Sequence, residues 1–291
     1  MNPEESSDDP NIFEGDMILT PEQIMAAMNG LDVDDPMGRG STIGRQWPKG
    51  ELVYEIDSAL ARDSRAMAAI NGAFKEWSSK TCIKFKKRTN ENAYAYFQIG
   101  SGCSSYVGRT GRRQTINLAR GCWRLGIVAH EIGHALGFYH EQSRPDRDNY
   151  VTIMLDNIKE KNKFNFNKYS KSTIDSLNSP YDYGSVMHYS SHSFSKNGKP
   201  TIVAKQSGVS IFPSKMTFIF PCEFIYDNVT LGQRRGLSTT DAQQMNMLYK
   251  SQCGGGGSSC VDKDKRCGGW TKYCTSIDYV KTNCKKTCKL C

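Results

Sequence analysis

His130-Glu131-Ile132-Gly133-His134-Ala135-Leu136-Gly137-Phe138-Tyr139-His140 is the stretch on which the reading of this 291-residue chain turns. Residues Leu125 to Leu136 have the pattern of a helix, and Gly137 is a natural breaker at its C-terminal end. His130 and His134 are four residues apart, so on that helix both imidazoles project from one face, one turn apart. A third histidine six residues on cannot join them if the helix continues. Gly137 lets the chain leave the helix and double back, which brings His140 to the same point. Three neutral imidazoles can hold Zn²⁺ at about 2.0–2.1 Å and leave a coordination position open. Three of the chain's five histidines fall in this window, which favours one shared metal over unrelated surface histidines. Such a centre lowers the pKa of a water toward about 7 and polarises a carbonyl. Glu131 sits beside the first histidine, where it can take that water's proton and deliver it to a leaving amine. The chemistry implied is hydrolysis of an amide.

Outward from this helix, the composition is that of a globular protein. Hydrophobic residues make up 38% and aromatics 10%, enough for one sizeable core or two modest ones and too much for a wholly disordered chain. The apolar stretch around Phe218 to Phe220, like every other in the chain, is far short of the ~20 residues that span a bilayer. Val53 to Ile56, Ile83 to Phe85, Ala93 to Ile99 and Gln114 to Leu118 read as strands. Ser58 to Trp77 reads as one helix with Leu60, Ala61, Met67, Ile70, Phe74 and Trp77 on or near one face. A last helix is expected over Thr239 to Tyr249, and a short one from Thr20-Pro21-Glu22-Gln23. The mixture predicts an α+β fold.

The net charge of +8 is unevenly placed. Residues 1–39 carry ten Asp/Glu against one Arg, a net −9, whereas residues 40–253 carry a net +12 and residues 254–291 a net +5. The acidic head is either a solvated tail or a segment held against the basic body by charge. No nucleic-acid partner is expected, since no binding motif accompanies the basic charge. The chain divides into a head (1–39), a body (40–253), a Gly/Ser tether (254–259) and a tail (260–291). The tether spans only about 13 Å at ~5–6 Å × √n. The tail holds six of the 11 cysteines, a density that belongs to an oxidising, extracellular compartment. The acidic, polar first ten residues are no secretory leader, so either the native start lies elsewhere or a leader precedes Met1.

HEIGHALGFYHEQSRPDRD, beginning at His130, resembles the signature of the astacins, a metzincin family of zinc endopeptidases. Ser185-Val186-Met187-His188-Tyr189 is similar to the family's Met-turn. The resemblance covers roughly residues 40–253. It implies a two-subdomain catalytic domain with zinc in the cleft, ligated by His130, His134 and His140, with Glu131 as the catalytic base. It also implies that Met187 forms a hydrophobic floor and that Tyr189 is a further ligand that swings away to stabilise the oxyanion. Phe13-Glu14-Gly15-Asp16 is similar to the family's pro-segment motif, whose aspartate binds the zinc, and a carboxylate oxygen is a competent ligand. A cysteine switch is excluded because the first cysteine is Cys82. The expectation is therefore a secreted, latent zymogen that acts on protein or peptide substrates. It would be matured near Arg39, with the new N-terminus buried by Glu141. The −9 head against the +12 body should make that latency sensitive to salt.

The family's disulfides correspond to Cys82–Cys253 and Cys103–Cys122, the second closing a loop worth about 3 kcal/mol in the chain-entropy model. The tail ends in C-x₃-C-x₂-C and resembles the ShK toxin-like domain, which would pair Cys260–Cys291, Cys267–Cys284 and Cys274–Cys288. Sequence alone allows 15 pairings of six cysteines. Asp278-Tyr279 stands where the toxins carry Lys-Tyr, which argues against channel block and for an extracellular docking or anchoring element. Cys222 is left over, inside Ser210 to Val229 (SIFPSKMTFIFPCEFIYDNV), a stretch without counterpart in the family. It is either a genuine extra loop or translated intron sequence, and the sequon at Asn228 shares that ambiguity. Gln233-Arg234 follows it. In the family this place lies near the S1′ pocket, where a guanidinium would favour Asp or Glu after the scissile bond; the alternative is a surface arginine. The rival overall reading is a binding protein that acts through its tail, with a body made inert by the 210–229 stretch.

Overall fold

The computed structural model describes residues 12–20, 46–169, 176–206, 209–210, 229–253 and 267–274, and positions 280, 284, 287 and 288. It divides into two compact units, 1–252 and 253–291. The first opens with a hairpin of β1 (Ile12–Phe13) and β2 (Met17–Ile18). Then come β3 (Glu51–Ile56), α1 (Ser58–Ala61), α2 (Ser64–Lys80), β4 (Lys84–Lys87), β5 (Tyr94–Gln98), β6 (Cys103–Tyr106) and β7 (Arg113–Leu118). They are followed by α3 (Leu125–Leu136), β8 (Val151–Ile153), β9 (Ile202–Ala204), β10 (Val209–Ser210), β11 (Val229–Thr230) and α4 (Thr239–Leu248).

Seven strands form one sheet in the order β1-β2-β6-β7-β5-β3-β4. The pairs β3/β4, β3/β5 and β5/β7 are parallel and β6/β7 is antiparallel. The hairpin of the acidic head extends this sheet: β2 lies parallel to β6 with Met17 opposite Ser105. An edge strand offers unpaired N–H and C=O groups, and here the chain's own head takes them.

Helices α2 and α3 lie against the sheet. Ala66, Ala69, Ile70, Ala73 and Trp77 of α2 are buried, as are Leu52, Ala95, Phe97, Ile116 and Leu118 of the strands. Helix α3 is buried from Gly126 to Leu136, a core helix rather than an amphipathic surface one. Two indoles brace it, Trp77 Nε1 donating to Ala129 O at 3.0 Å and Trp47 Nε1 to Ala135 O at 2.8 Å. A second core, of Val151, Ile158, Phe166, Tyr181, Tyr183, Tyr189, Phe194, Ile202 and Leu231, builds the part that follows α3. The histidine helix and its exit turn lie in sequence between the strands of these two cores.

Helix α3 has the bounds expected from sequence, with Gly137 as a left-handed C-cap at φ 112°. The single helix expected over Ser58 to Trp77 is two. Asp63 is non-helical, and its carboxylate accepts from the N–H groups of Arg65 (2.9 Å) and Ala66 (3.3 Å), so a new N-terminus starts there. α2 then runs on to Lys80, three residues beyond Trp77. Strands β6, β8, β9 and the β1–β2 hairpin were not anticipated, and the helix expected from Thr20-Pro21 falls outside the described residues. Val209 pairs with Val229 and Ser210 with Thr230, so the two ends of the 210–229 stretch lie side by side. Cys222 and Asn228 are outside the described residues.

Cys103 is bonded to Cys122, joining β6 to the turn before α3. Cys82 and Cys253 are each disulfide-bonded. In the second unit, Cys267–Cys284 and Cys274–Cys288 are bonded around a small core of Cys267, Val280 and Cys284. Cys260 and Cys291 lie outside the described residues. No helix among the described residues is long and apolar enough to cross a membrane.

Candidate metal centre

His130 and His134 leave α3 one turn apart, and their Nε2 atoms are 3.2 Å from each other. The αL cap at Gly137 turns the chain so that His140 comes back beside them, its ring centroid 4.8 Å from that of His134 and 5.4 Å from that of His130. The carboxylate of Asp16, from the turn between β1 and β2, enters the centre of this cluster. Its Oδ2 is 2.9 Å from His130 Nε2, and its Oδ1 is 3.3 Å from His134 Nε2 and 3.2 Å from His140 Nε2. One donor atom from each of the four residues lies within 4.8 Å of all the others, and all four side chains are buried.

The donor chemistry fits a zinc ion. His130 Nδ1 lies 2.8 Å from Val186 O and His134 Nδ1 2.8 Å from Phe138 O. A carbonyl accepts only from an N–H, so the Nδ1 atoms carry the protons and the Nε2 lone pairs face inward. Two inward lone pairs 3.2 Å apart, beside a carboxylate whose Oδ1 is buried without a hydrogen bond, call for a cation between them. Three imidazole nitrogens and one carboxylate oxygen are a tetrahedral zinc set. The electrostatics agree for His130, whereas the carboxylates of the head push His140 toward its protonated form. Burial, and then the Arg234 charge, pull His130 down to about 3, which keeps it a neutral donor. Burial would lower His140 too, but the Asp16 and Glu14 carboxylates outweigh it and leave His140 raised to about 9. Burial resists ionisation of Asp16, yet the surrounding histidines hold it well below the usual carboxylate range.

Glu131 follows His130 on α3 and is fully buried. Met187 is buried beneath the helix: a Cβ built on Gly133 would lie 2.7 Å from its Sδ. Tyr189 is buried with its ring 4.6 Å from that of His140, and its hydroxyl donates to Glu14 O at 2.5 Å. Arg234 is half-buried and its Nη1 donates to His188 O and Gln233 O, both at 3.0 Å. The structure thus brings Asp16, the three histidines, Met187 and Tyr189 together, and Arg234 close enough to act on His130 through its charge.

Three contributors had no role at the site that the sequence disclosed. Glu14 Oε2 is 2.7 Å from His140 Nδ1. Gln142 Oε1 accepts from Tyr189 N at 3.0 Å and ties the histidine turn to the Met-turn. Asp241 accepts from Ser185 Oγ at 2.6 Å and Val186 N at 2.9 Å, behind the carbonyl that orients His130. Each partner is more than 40 residues away in the chain, so no local spacing could have revealed it.

A helix that supplies two histidines, a glycine-broken turn that supplies the third and a methionine beneath them define a metzincin-type zinc domain, here followed by a disulfide-rich module. The family model for Astacin, a peptidase family, matches residues 40–250, and that for ShK domain-like sequences matches residues 259–291. "Zinc metalloproteinase nas-14" of Caenorhabditis elegans is 38% identical over 269 residues, 86% of this chain and 49% of that protein. "Blastula protease 10" of Paracentrotus lividus is 35% identical over 289 residues, 95% of this chain and 43% of that protein. The chain thus spans about half or less of the length of these relatives. Among solved structures, High choriolytic enzyme 1 of Oryzias latipes, described as a hatching enzyme zinc-protease, is 36% identical with a TM-score of 0.60. That match covers 72% of this chain and 96% of that one. The chain belongs to the astacin family, and its cofactor is zinc.

Proposed function

We propose that this chain is a secreted zinc metalloendopeptidase made as a latent zymogen. The observation that carries the reading is the convergence of three histidine Nε2 atoms on one carboxylate of the acidic head, with Glu131 next in the helix. Zinc, when bound, supplies Lewis acidity toward a carbonyl oxygen and a water. Glu131 takes a proton from the attacking water and hands it to the leaving nitrogen of the peptide. Tyr189, freed from Glu14 O, turns its hydroxyl to the carbonyl oxygen as negative charge develops there. Met187 supports the helix turn that carries His130 and His134.

In the intact chain, Asp16 occupies the place of the water and the β1–β2 hairpin occupies the edge of β6. Cleavage near Arg39 removes both, and the freed edge can pair with an extended substrate. In this reading Glu141 receives the new N-terminus, while in the intact chain its Oε1 accepts from Arg144 Nη1 (3.1 Å) and Asp182 N (2.8 Å). Arg234 would favour an acidic residue after the scissile bond. We pair Cys82 with Cys253 and Cys260 with Cys291, and assign the ShK-like module to extracellular docking.

Glu131→Ala in the matured chain tests the chemistry. Peptide cleavage should fall by about 10²–10⁴-fold, the usual worth of a general acid–base group, while zinc content stays at the wild-type level. Retained cleavage with zinc still bound would remove Glu131 from its role.

A further inference from the structure

An imidazole presents its Nε2 lone pair to a metal only if its Nδ1 proton is held elsewhere, and the acceptor that holds it also fixes the ring. Two of the three histidines take that acceptor from the body of the protein, His130 from Val186 O and His134 from Phe138 O, each at 2.8 Å. His140 does not. Its Nδ1 donates to Glu14 Oε2 at 2.7 Å, across 126 residues, and among the described residues the body gives it no acceptor. Glu14 is itself 1% exposed. Its two carboxylate oxygens also accept from Ser143 Oγ, both at 3.3 Å, and its carbonyl accepts from the Tyr189 hydroxyl. The turn that carries it is left-handed at Glu14 (φ 48°) and Gly15 (φ 86°). That geometry sends the carboxylates of Glu14 and Asp16 into the same buried cluster, one to the outer nitrogen of a histidine and one to the inner nitrogens.

We propose that Glu14 is a positioning residue for the zinc site, so that the acidic head retains the metal as well as covering it. This rests on the latent-zymogen reading. A carboxylate on an imidazole N–H fixes the tautomer, orients the ring and makes the opposite nitrogen a better donor, and loss of such a partner costs 10–100-fold in metal affinity. His140 is the ligand that needs this help most. It lies beyond the helix, on a turn that begins at the αL cap Gly137, whereas His130 and His134 are held by a fully buried helix. The head therefore completes the zinc site twice, directly with Asp16 and indirectly with Glu14, and its removal withdraws both.

The test uses the full-length, uncleaved chain loaded with zinc. Transfer of zinc to an excess of a coloured chelator is timed for the wild type and for Glu14→Gln, Glu14→Ala and Asp16→Asn. Cleavage of a quenched fluorescent peptide by the same uncut samples is followed in parallel. The expected release is about 10-fold faster for Glu14→Gln, whose amide oxygen still accepts, and nearer 100-fold for Glu14→Ala. Glu14→Gln is nearly isosteric and carries the test alone if the alanine variant does not fold. Release from Glu14→Gln within twofold of wild type overturns the proposal. The Asp16→Asn arm keeps the two readings apart. If uncut Asp16→Asn is as silent as uncut wild type, the latency reading fails. If Asp16→Asn is active while zinc release is unchanged in both Glu14 variants, only the role of Glu14 fails.

Discussion

Gly126 and Gly133 both lie in the histidine helix and both are buried, yet they have different reasons to lack a side chain. A Cβ on Gly126 would overlap the backbone carbonyl of Arg234, which cannot move without carrying Gln233 and the Gly184 carbonyl bonded to it. A Cβ on Gly133 would meet Met187 Sδ at 2.7 Å and Trp77 Cζ2 at 3.5 Å, and a methionine has three side-chain torsions with which to yield. Replacing a mid-helix glycine with alanine also gains about 1 kcal/mol of helix propensity. Gly126→Ala should therefore lose about 3 kcal/mol or more to overpacking, and Gly133→Ala should stay within about 1 kcal/mol of wild type. Urea unfolding of the zinc-loaded variants decides it, and equal losses would contradict the argument. The same contrast explains what was legible at this scale. His130, Glu131, His134 and His140 were readable because a helix and a glycine turn convert local spacing into geometry. Glu14 stood in plain view two residues before Asp16. Its partner His140 is 126 residues away, and the pro-segment motif that contains Glu14 pointed to Asp16 alone.

At the scale of elements, long periodic segments were readable in kind, although the one from Ser58 to Trp77 hid a break at Asp63, and short ones were not. Helix α3 was placed with its bounds because 12 residues of pattern end at a glycine. The pairs β1–β2 and β8–β9 involve two or three residues per strand, too few to show alternation, and exist because tertiary pairing selects them. Helix α4 adds a link that its sequence only half disclosed. Ser238 and Asp241 form a capping box, a local feature, with Ser238 Oγ accepting from Asp241 N at 2.8 Å. The same Asp241 carboxylate reaches Ser185 and Val186, so the helix start steadies the Met-turn and the carbonyl behind His130.

Burial, and then the Asp182 charge, push Asp241 up to about 6, above the ordinary value of 3.8. A raised folded-state pKa makes the group's stabilisation fully present below the unfolded value and lost as pH rises through the folded one. Asparagine cannot take up that proton. Between pH 7.5 and pH 4, wild type should therefore gain about 2.4 kcal/mol relative to Asp241→Asn. Parallel denaturant titrations at the two pH values measure this difference. A constant gap would show that Asp241 titrates normally in the fold.

Over the whole molecule, the proposed zymogen has its acidic head act on the body at two ranges. Asp16 and Glu14 make buried contacts, out of reach of ions in solution. The other eight acids of residues 1–39 lie outside the described residues and, with Arg39, add a net −7 that faces the +12 of residues 40–253. Screening separates these contributions, because the Debye length is about 10 Å at 0.1 M salt and about 3 Å at 1 M. Long-range attraction between a released head and the matured body speeds encounter and is screened by salt, whereas buried, desolvated contacts govern dissociation. A synthetic peptide of residues 1–39 should therefore inhibit the matured enzyme with an association rate about 10-fold lower at 0.5 M salt than at 0.05 M. Its dissociation rate should be unchanged. Progress curves at the two salt concentrations give both constants. An association rate indifferent to salt would leave the charge partition without a part in latency and assign all of the holding to the turn that carries Glu14 and Asp16. A dissociation rate that rises with salt would mean instead that the hold depends on exposed charge rather than on those buried carboxylates.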